Sequence, residues 1–290
     1  MARGWGSSRV GLVIVTTVTV TALVACSPPD QVTWKRVRET GVLRVGMDAS
    51  FPPFEAIALD GSLVGFDVDL AREVSRRLDL EPQFVANLPY DGLYDALTAQ
   101  RVDVVVSALV VNPARTADFS YSTSYFDAGE VLVLPEGEHA IQDMADVNGH
   151  RLAVALGTQG DQEARRWARR LKDLTVVQHQ TPARALRAVE AGEADVALVD
   201  HVSALQAIGA GHNLTMVEEP VTAVPYAAAV QRDSQQLLRS INEAIEAMED
   251  DGTMDRLVTK WLKGDRGEPQ GLSRVHKARG ISRSWLRSRS

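Results

Sequence analysis

The chain has 290 residues, of which 45% are apolar and 24% are charged, the composition of a soluble globular protein with room for two compact lobes. Its net charge is -7 although both ends are basic, so the body between them is acidic. An acidic body argues against a nucleic-acid-binding role for the folded part, because phosphate affinity is built largely from Lys and Arg.

The first 25 residues have the layout of a secretory signal peptide. Arg3 and Arg9 precede an uncharged stretch from Val10 to Ala25 that ends in small residues. This stretch is rich in threonine and shorter than the roughly 20 apolar residues that a membrane-spanning helix needs. We therefore expect export followed by cleavage.

Cys26, the only cysteine of the chain, follows that stretch directly. The sequence Leu23-Val24-Ala25-Cys26 resembles a bacterial lipobox, and the resemblance implies that Cys26 is acylated and becomes the first mature residue. The protein would then be extracytoplasmic, held by this lipid anchor to the outer face of the cell membrane or in the periplasm. The alternative is a buried or incidental cysteine.

Beyond residue 40, short apolar runs alternate with helical patterns. Leu70, Ala71, Val74 and Leu78 lie on one face of a predicted helix over Asp67–Leu78. The near-continuous apolarity of the runs is typical of parallel strands covered on both faces, and the alternation predicts an α/β fold. The predicted strands are Val42–Met47, Val102–Leu109, Arg151–Leu156 and Ala194–Val199.

The order of the elements predicts two lobes. A strand over Glu130–Leu134 ends at a polar turn, and the chain after Pro225 returns with an apolar run and two helices separated by Asp251-Gly252, a C-cap signal. The predicted division is a signal peptide at 1–25, a tether at 26–37, a first lobe from 38–130 and 226–263, a second lobe at 131–225, and a basic disordered tail at 264–290.

Motifs occur in a specific order between Gly41 and Lys263. Phe51-Pro52-Pro53-Phe54-Glu55 follows the first predicted strand, Gly65-Phe66-Asp67 begins the first helix, and Asp118-Phe119-Ser120 comes later. Together they resemble the polar amino-acid-binding receptors of ABC transporters, the family 3 solute-binding proteins. The resemblance implies a type II periplasmic-binding-protein-like fold with a hinge of two crossing strands, a monomer, and an ABC permease as membrane partner.

Arg115 is the candidate for the ligand's carboxylate. It follows a predicted buried strand by a short loop, and its planar guanidinium can hold a carboxylate through paired hydrogen bonds. The resemblance gives Arg115 this role. The alternative is a surface arginine paired with Asp118, which would contribute only about 0–1 kcal/mol.

Two residues of the second lobe are candidates for the other half of the site. Asp200 ends a predicted strand at the edge where open α/β sheets bind ligands, and it can accept hydrogen bonds from an ammonium group. Thr158 resembles the second-lobe residue that bonds the carboxylate. Each could instead cap the helix that follows it, and the backbone amides near Gly157 favour anion binding in either case.

Phe51 and Tyr90 match family positions whose rings enclose the ligand side chain, although core packing is the alternative. Asp48, by resemblance, lies near the far end of basic or amide ligands, or it orders the Phe51 loop. The resemblance also assigns Ala108 and Val110 to the site. Val110 stands where the family commonly has serine or threonine, so one hydroxyl contact is missing.

We expect a binding protein for a small polar ligand, most simply an amino acid, with no cofactor and no metal. The six histidines are scattered, and neither a catalytic triad order nor a metal-ligand spacing stands out. Two alternatives stay open. One is an exported enzyme on the same fold, such as a dehydratase acting on prephenate-like acids, and the other is a sensory domain that reports ligand to a partner protein.

Overall fold

The structure is a computed structural model that describes Met1 and residues 29–264. The predicted signal peptide, Cys26 and the predicted tail after Gly264 lie outside the described residues. Eight α-helices occur in the described part: α1 (Pro29–Thr40), α2 (Phe66–Arg77), α3 (Leu93–Thr98), α4 (Gln159–Ala168), α5 (Pro182–Glu190), α6 (His201–Gly209), α7 (Gln235–Asp250) and α8 (Thr253–Val258).

The strands over the same residues are short, as expected of an α/β protein with many turns. They are β1 (Val42–Gly46), β2 (Ser50–Phe51), β3 (Glu55–Ile57), β4 (Leu63–Val64), β5 (Glu81–Val85), β6 (Val104–Val105), β7 (Phe119–Tyr121), β8 (Phe126–Asp127), β9 (Glu130–Pro135), β10 (Arg151–Ala155), β11 (Thr175–His179), β12 (Val196–Asp200), β13 (Leu214–Met216), β14 (Pro225–Tyr226) and β15 (Ala229–Gln231).

Two five-stranded sheets form two lobes, and the predicted α/β fold is confirmed. The first sheet has the order β5-β1-β6-β15-β7 and the second the order β11-β10-β12-β9-β13. In each sheet three strands run parallel, and the fourth in the spatial order runs antiparallel to its neighbours. Apolar clusters cover both faces of each sheet, which explains the continuous apolar runs of the sequence.

Two short crossing strands, β8 and β14, connect the lobes. They pair antiparallel, with Asp127 opposite Pro225 and Tyr226 opposite Phe126. A side-chain oxygen of Asp127 accepts hydrogen bonds from the backbone N–H groups of Gly129 and Val224, each at 2.8 Å. One carboxylate therefore holds the two connections together, and we call β8 and β14 the connector pair.

The C-terminal end of the described chain makes a further contact between the lobes. Residues Thr259–Gly264 form a π-helical turn that packs against α6 of the second lobe. Gly209 of α6 lies so close to this turn that a Cβ there would be 1.4 Å from the carbonyl oxygen of Lys263. Only glycine fits at that position.

Two local predictions differ from the structure. Residues 29–37, predicted as part of the tether, belong to α1, because Val37 is fully buried and Trp34 packs on the first-lobe core. The strand predicted over Val102–Leu109 is regular only at β6, because Ala108 adopts a left-handed backbone with φ of 42°. Among residues 29–264, no helix combines the length and apolarity needed to cross a membrane.

Candidate functional site

A cavity of about 310 Å³ lies on the first lobe, just beyond the carboxyl ends of β1 and β6. Parallel sheets bind ligands at this edge. Five of the eight predicted ligand-binding residues line it. The full lining is Asp48, Ser50, Phe51, Glu55, Tyr90, Ser107, Ala108, Val110 and Tyr226, which includes two acidic side chains and no basic one.

A chain of hydrogen bonds joins the segments that line the cavity. The backbone N–H of Tyr90 donates to a carboxylate oxygen of Asp48 at 3.0 Å. The N–H of Asp48 donates to the Ser107 hydroxyl at 3.0 Å, and that hydroxyl donates to Glu55 at 2.8 Å. The Asp48 carboxylate therefore fixes the segment that carries Tyr90 and lies on the cavity wall.

Two buried carboxyl groups lie beneath the cavity floor. Glu55 is 1% exposed and Asp67 is fully buried. Asp67 accepts hydrogen bonds from the backbone N–H of Ala108 and from the Tyr125 hydroxyl. Burial raises the pKa of both groups, and the adjacent Asp67 raises that of Glu55 further. Both shifts favour the neutral, protonated form of these carboxyl groups.

Two aromatic side chains at the cavity mouth are exposed to solvent. Phe51 is 49% exposed and Tyr90 is 44% exposed, while Val110 beside them is 39% exposed. Exposed aromatic rings around a concave site mark a surface that a ligand can cover. Behind them, Phe54 is buried and its ring stacks on that of Phe51 with centroids 5.8 Å apart, so the exposed ring rests on a rigid base.

The backbone of the Ala108–Val110 loop joins the cavity to the connector pair. Val110 forms an isolated antiparallel bridge with Tyr226 of β14. The N–H of Val111 donates to Pro225, and the N–H of Ala227 donates to Leu109. The positive φ of Ala108 destabilises the folded state by about 1–3 kcal/mol. Backbone strain of this kind is concentrated at binding sites.

Arg115 does not line this cavity. It ends a 3-10 turn at Pro113–Arg115, and its guanidinium lies over the ring of Tyr94, 5.0 Å from the centroid. It lines a second groove of about 630 Å³ together with Asp118 and Arg232. No ion pair joins Arg115 to Asp118 among the pairs found within the described residues, so the stacking on Tyr94 is its main contact.

Thr158 and Asp200 lie at the corresponding edge of the second sheet, where β10 and β12 lead into α4 and α6. Both are helix N-caps, as their alternative interpretations expected. Thr158 accepts from the N–H of Asp161 at 3.3 Å, and Asp200 accepts from both the N–H and the hydroxyl of Ser203 at 2.8 and 2.7 Å. Capping fixes their positions and leaves further lone pairs for a ligand.

Asp200 lies at the edge of the second lobe that adjoins the connector pair. The pKa of Tyr226, a cavity residue, is raised to about 12, chiefly by burial and to a smaller extent by Tyr90 and nearby acidic groups. Next to Asp200, the ring of His201 stacks on Phe126 at 5.0 Å, and its Nδ1 atom bonds to the carbonyl of Asp127 at 2.7 Å. The second-lobe edge thus adjoins the connectors.

Sequence reasoning gave no role to Ser50, Glu55, Ser107 and Tyr226, all of which line the cavity. Glu55 belongs to the Phe51–Glu55 motif, yet only the fold brings it within 2.8 Å of Ser107. Tyr226 had no signal of its own. It reaches the cavity because β14 crosses between the lobes at that point.

Comparison with known proteins gives a consistent result. The family model described as bacterial extracellular solute-binding proteins, family 3, matches residues 43–264. The chain is also similar to the L-cystine-binding protein of Escherichia coli strain K12, with 29% identity over 232 residues, covering 79% of this chain and 86% of that protein.

Two solved structures resemble the fold. The L-cystine solute receptor of Neisseria gonorrhoeae, in its unliganded open conformation, has 25% identity and a TM-score of 0.66, covering 80% of this chain and 97% of that one. An ancestral cyclohexadienyl dehydratase has 27% identity and a TM-score of 0.68, covering 79% and 95%. The same architecture therefore occurs in a receptor and in an enzyme.

Proposed function

The chain belongs to the bacterial extracellular solute-binding proteins, family 3, and from this premise we propose that it captures an amino acid between its two lobes and delivers it to an ABC importer. One half of the site is the first-lobe cavity with Asp48, Phe51 and Tyr90. The other half is formed by Thr158 and Asp200.

The exposed aromatic rim of the first-lobe cavity carries this proposal. Phe51 and Tyr90 are half exposed and line the same cavity, and apolar side chains grouped in this way on a concave surface mark a ligand-binding groove. A ligand that contacts both lobes favours the closed state by its differential affinity, which is the only way in which binding can drive closure. The connector pair is the hinge of that movement.

In this proposal Arg115 remains the partner of the ligand's carboxylate, which requires its side chain to leave the Tyr94 ring. An exposed cation-π contact is worth about 0.5–1 kcal/mol. A charge-assisted hydrogen bond to a carboxylate contributes about 1.5–3 kcal/mol, so the exchange is favourable. Arg115 is solvent-exposed, and nothing buried has to move with it.

A thermal-shift screen of the twenty amino acids tests the proposal. A ligand that binds only the folded state, at about 100 times its Kd, adds about 2.7 kcal/mol to the free energy of unfolding, which corresponds to a rise of roughly 5–10 °C in Tm. We expect at least one amino acid to give such a rise. Small-angle scattering of that complex should show a smaller radius of gyration. If none of the twenty, nor L-cystine, raises Tm, the proposed function is wrong.

The enzyme alternative is supported only by the similarity to the ancestral cyclohexadienyl dehydratase. A receptor binds its ligand unchanged, whereas an enzyme converts it. Incubating the ligand-free protein with prephenate and recovering the prephenate chemically unchanged is the outcome expected of a receptor.

We also propose that Cys26 carries the lipid that holds the receptor beside its permease, outside the cytoplasm. One acyl chain binds membranes only marginally, so stable anchoring needs more than one. Replacing Cys26 with serine should move the protein from the membrane fraction to the soluble fraction. An unlipidated Cys26 in the intact mass of the membrane-extracted protein would contradict the proposal.

A further inference from the structure

Glu130, the first residue of β9, is a buried carboxyl group on the second lobe. It is 5% exposed, and its Oε2 atom is among the buried side-chain atoms that have no hydrogen-bond partner within the described residues. An unpaired buried carboxyl oxygen is costly, of order 1–3 kcal/mol or more. Such a cost persists in a protein when the group has a use.

The strand register places Glu130 directly opposite Asp200, on the neighbouring strand β12. Residues directly opposite each other in an antiparallel pair have Cβ atoms about 4.5–5.5 Å apart, so the two carboxyl groups are neighbours. Like charges at this position are destabilising in a sheet. A cation between them would reverse the effect.

The carboxyl of Glu130 also points at the start of α4, the helix that Thr158 caps. A Cβ at Gly160, in the first turn of α4, would lie 2.6 Å from Glu130 Oε2. Because Gly160 has no side chain, the carboxyl group of Glu130 can occupy this space. Glu130 and Asp200 belong to the same edge of the second sheet as the proposed ligand site.

The other charges near Glu130 have partners of their own. Asp161 of α4 is bonded to an arginine one turn further on. His201 of α6 is bonded to the carbonyl of Asp127 in the connector pair, and α5 and β13 present apolar side chains to β9. Burial and, to a smaller extent, the charge of Asp200 raise the pKa of Glu130 to about 7, and the N–H of Gly160 opposes this rise without making a hydrogen bond to Oε2.

We propose that Glu130 and Asp200 form a two-carboxylate site that binds the ammonium group of the ligand, and that Glu130 releases its proton to water when the ammonium arrives. This inference rests on the proposed function. The ammonium keeps its three protons and donates one to each carboxylate, so the proton that leaves comes from the Glu130 carboxyl alone. Ligand capture by this chain is therefore coupled to pH.

The sign of the coupling follows from the states of Glu130. In the free protein the group is protonated below about pH 7, and in the complex it is ionised. Below that pH, binding must expel a proton, so affinity falls as the pH is lowered, by at most about tenfold per pH unit for one proton. Above it, Glu130 is already ionised and affinity is constant.

Calorimetry with L-arginine and L-glutamine, which have no group that titrates near pH 6, tests the inference on the full chain. Titrations in buffers of different ionisation enthalpy count the protons released. For the wild type we expect about one proton per ligand near pH 6 and about none near pH 8. Glu130→Gln, which keeps the shape of the side chain, should abolish this release and flatten the pH dependence. Glu218→Gln, an exposed change on the same lobe, should behave as the wild type.

The outcomes separate the two proposals. Binding without proton release in the wild type overturns the role of Glu130 and leaves the proposed function intact, and this result needs no variant to fold. Proton release that persists in Glu130→Gln has the same meaning. If none of these probes and none of the other amino acids binds, the proposed function fails and the inference fails with it.

Discussion

Replacing Phe54 with alanine is expected to lower the free energy of unfolding by about 3–5 kcal/mol, the usual cost of emptying a buried aromatic site. Phe54 is 1% exposed, and its ring lies 5.5 Å from that of Phe126 and 5.3 Å from that of Tyr226. Those two rings belong to β8 and β14. The cavity left by the variant would therefore loosen the first-lobe core and the connector pair together, which urea unfolding can measure.

Phe51→Ala is the matched control, because it removes the same type of side chain from the residue whose ring stacks on that of Phe54. Phe51 is about half exposed, so its loss should change stability by about 1 kcal/mol or less. The affinity of the Phe51→Ala variant for the ligand found in the thermal-shift screen should fall, because the exposed ring of Phe51 is a wall of the proposed site. Equal losses of stability in the two variants would show that Phe51 is a core residue.

Replacing Asp200 with alanine should weaken ligand binding by about 2–5 kcal/mol, because an ammonium group enclosed between the lobes loses its charged partner. The same change removes the cap of α6 and so costs about 1 kcal/mol of stability. Calorimetry on folded protein measures the first effect, and thermal unfolding measures the second.

Two further variants separate these effects. Asp200→Asn keeps an oxygen for the cap and removes the charge, so it should bind weakly while remaining as stable as the wild type. Thr181→Ala removes the corresponding cap of α5, where Thr181 accepts from the N–H of Arg184, and should lower stability without changing affinity. Near-wild-type affinity in Asp200→Asn would exclude the ammonium role of Asp200.

The fold was largely predictable because its signals are local. Continuous apolar runs predict strands such as β10 and β12. The Asp251-Gly252 pair predicts the end of α7, and Gly252 has the positive φ, 71°, that is typical of a helix C-terminus. The break after β6 had no such signal, since alanine does not favour the positive φ of Ala108. That conformation depends on Asp67, 41 positions earlier, accepting the N–H of Ala108.

The site was predictable only where motif residues carried it. Motif order indicated Asp48, Phe51 and Tyr90, and all three line the cavity. Whether Arg115 turns towards that cavity or onto Tyr94 depends on a side-chain rotation that no sequence pattern encodes. The sequence predicts Glu130 only as the start of a strand. Its position opposite Asp200 has no sequence signal, because it exists only when β9 lies beside β12.

The strand order of the first sheet has a consequence for the order in which the chain folds. β15 lies between β6 and β7 in that sheet, yet it is synthesised after every strand of the second lobe. The second sheet is complete by β13 and uses one continuous segment, so it can fold as a unit before the rest of the chain has folded. The lobe that begins first must finish last, and until residues 229–231 arrive, β6 and β7 have open edges that can pair with another chain.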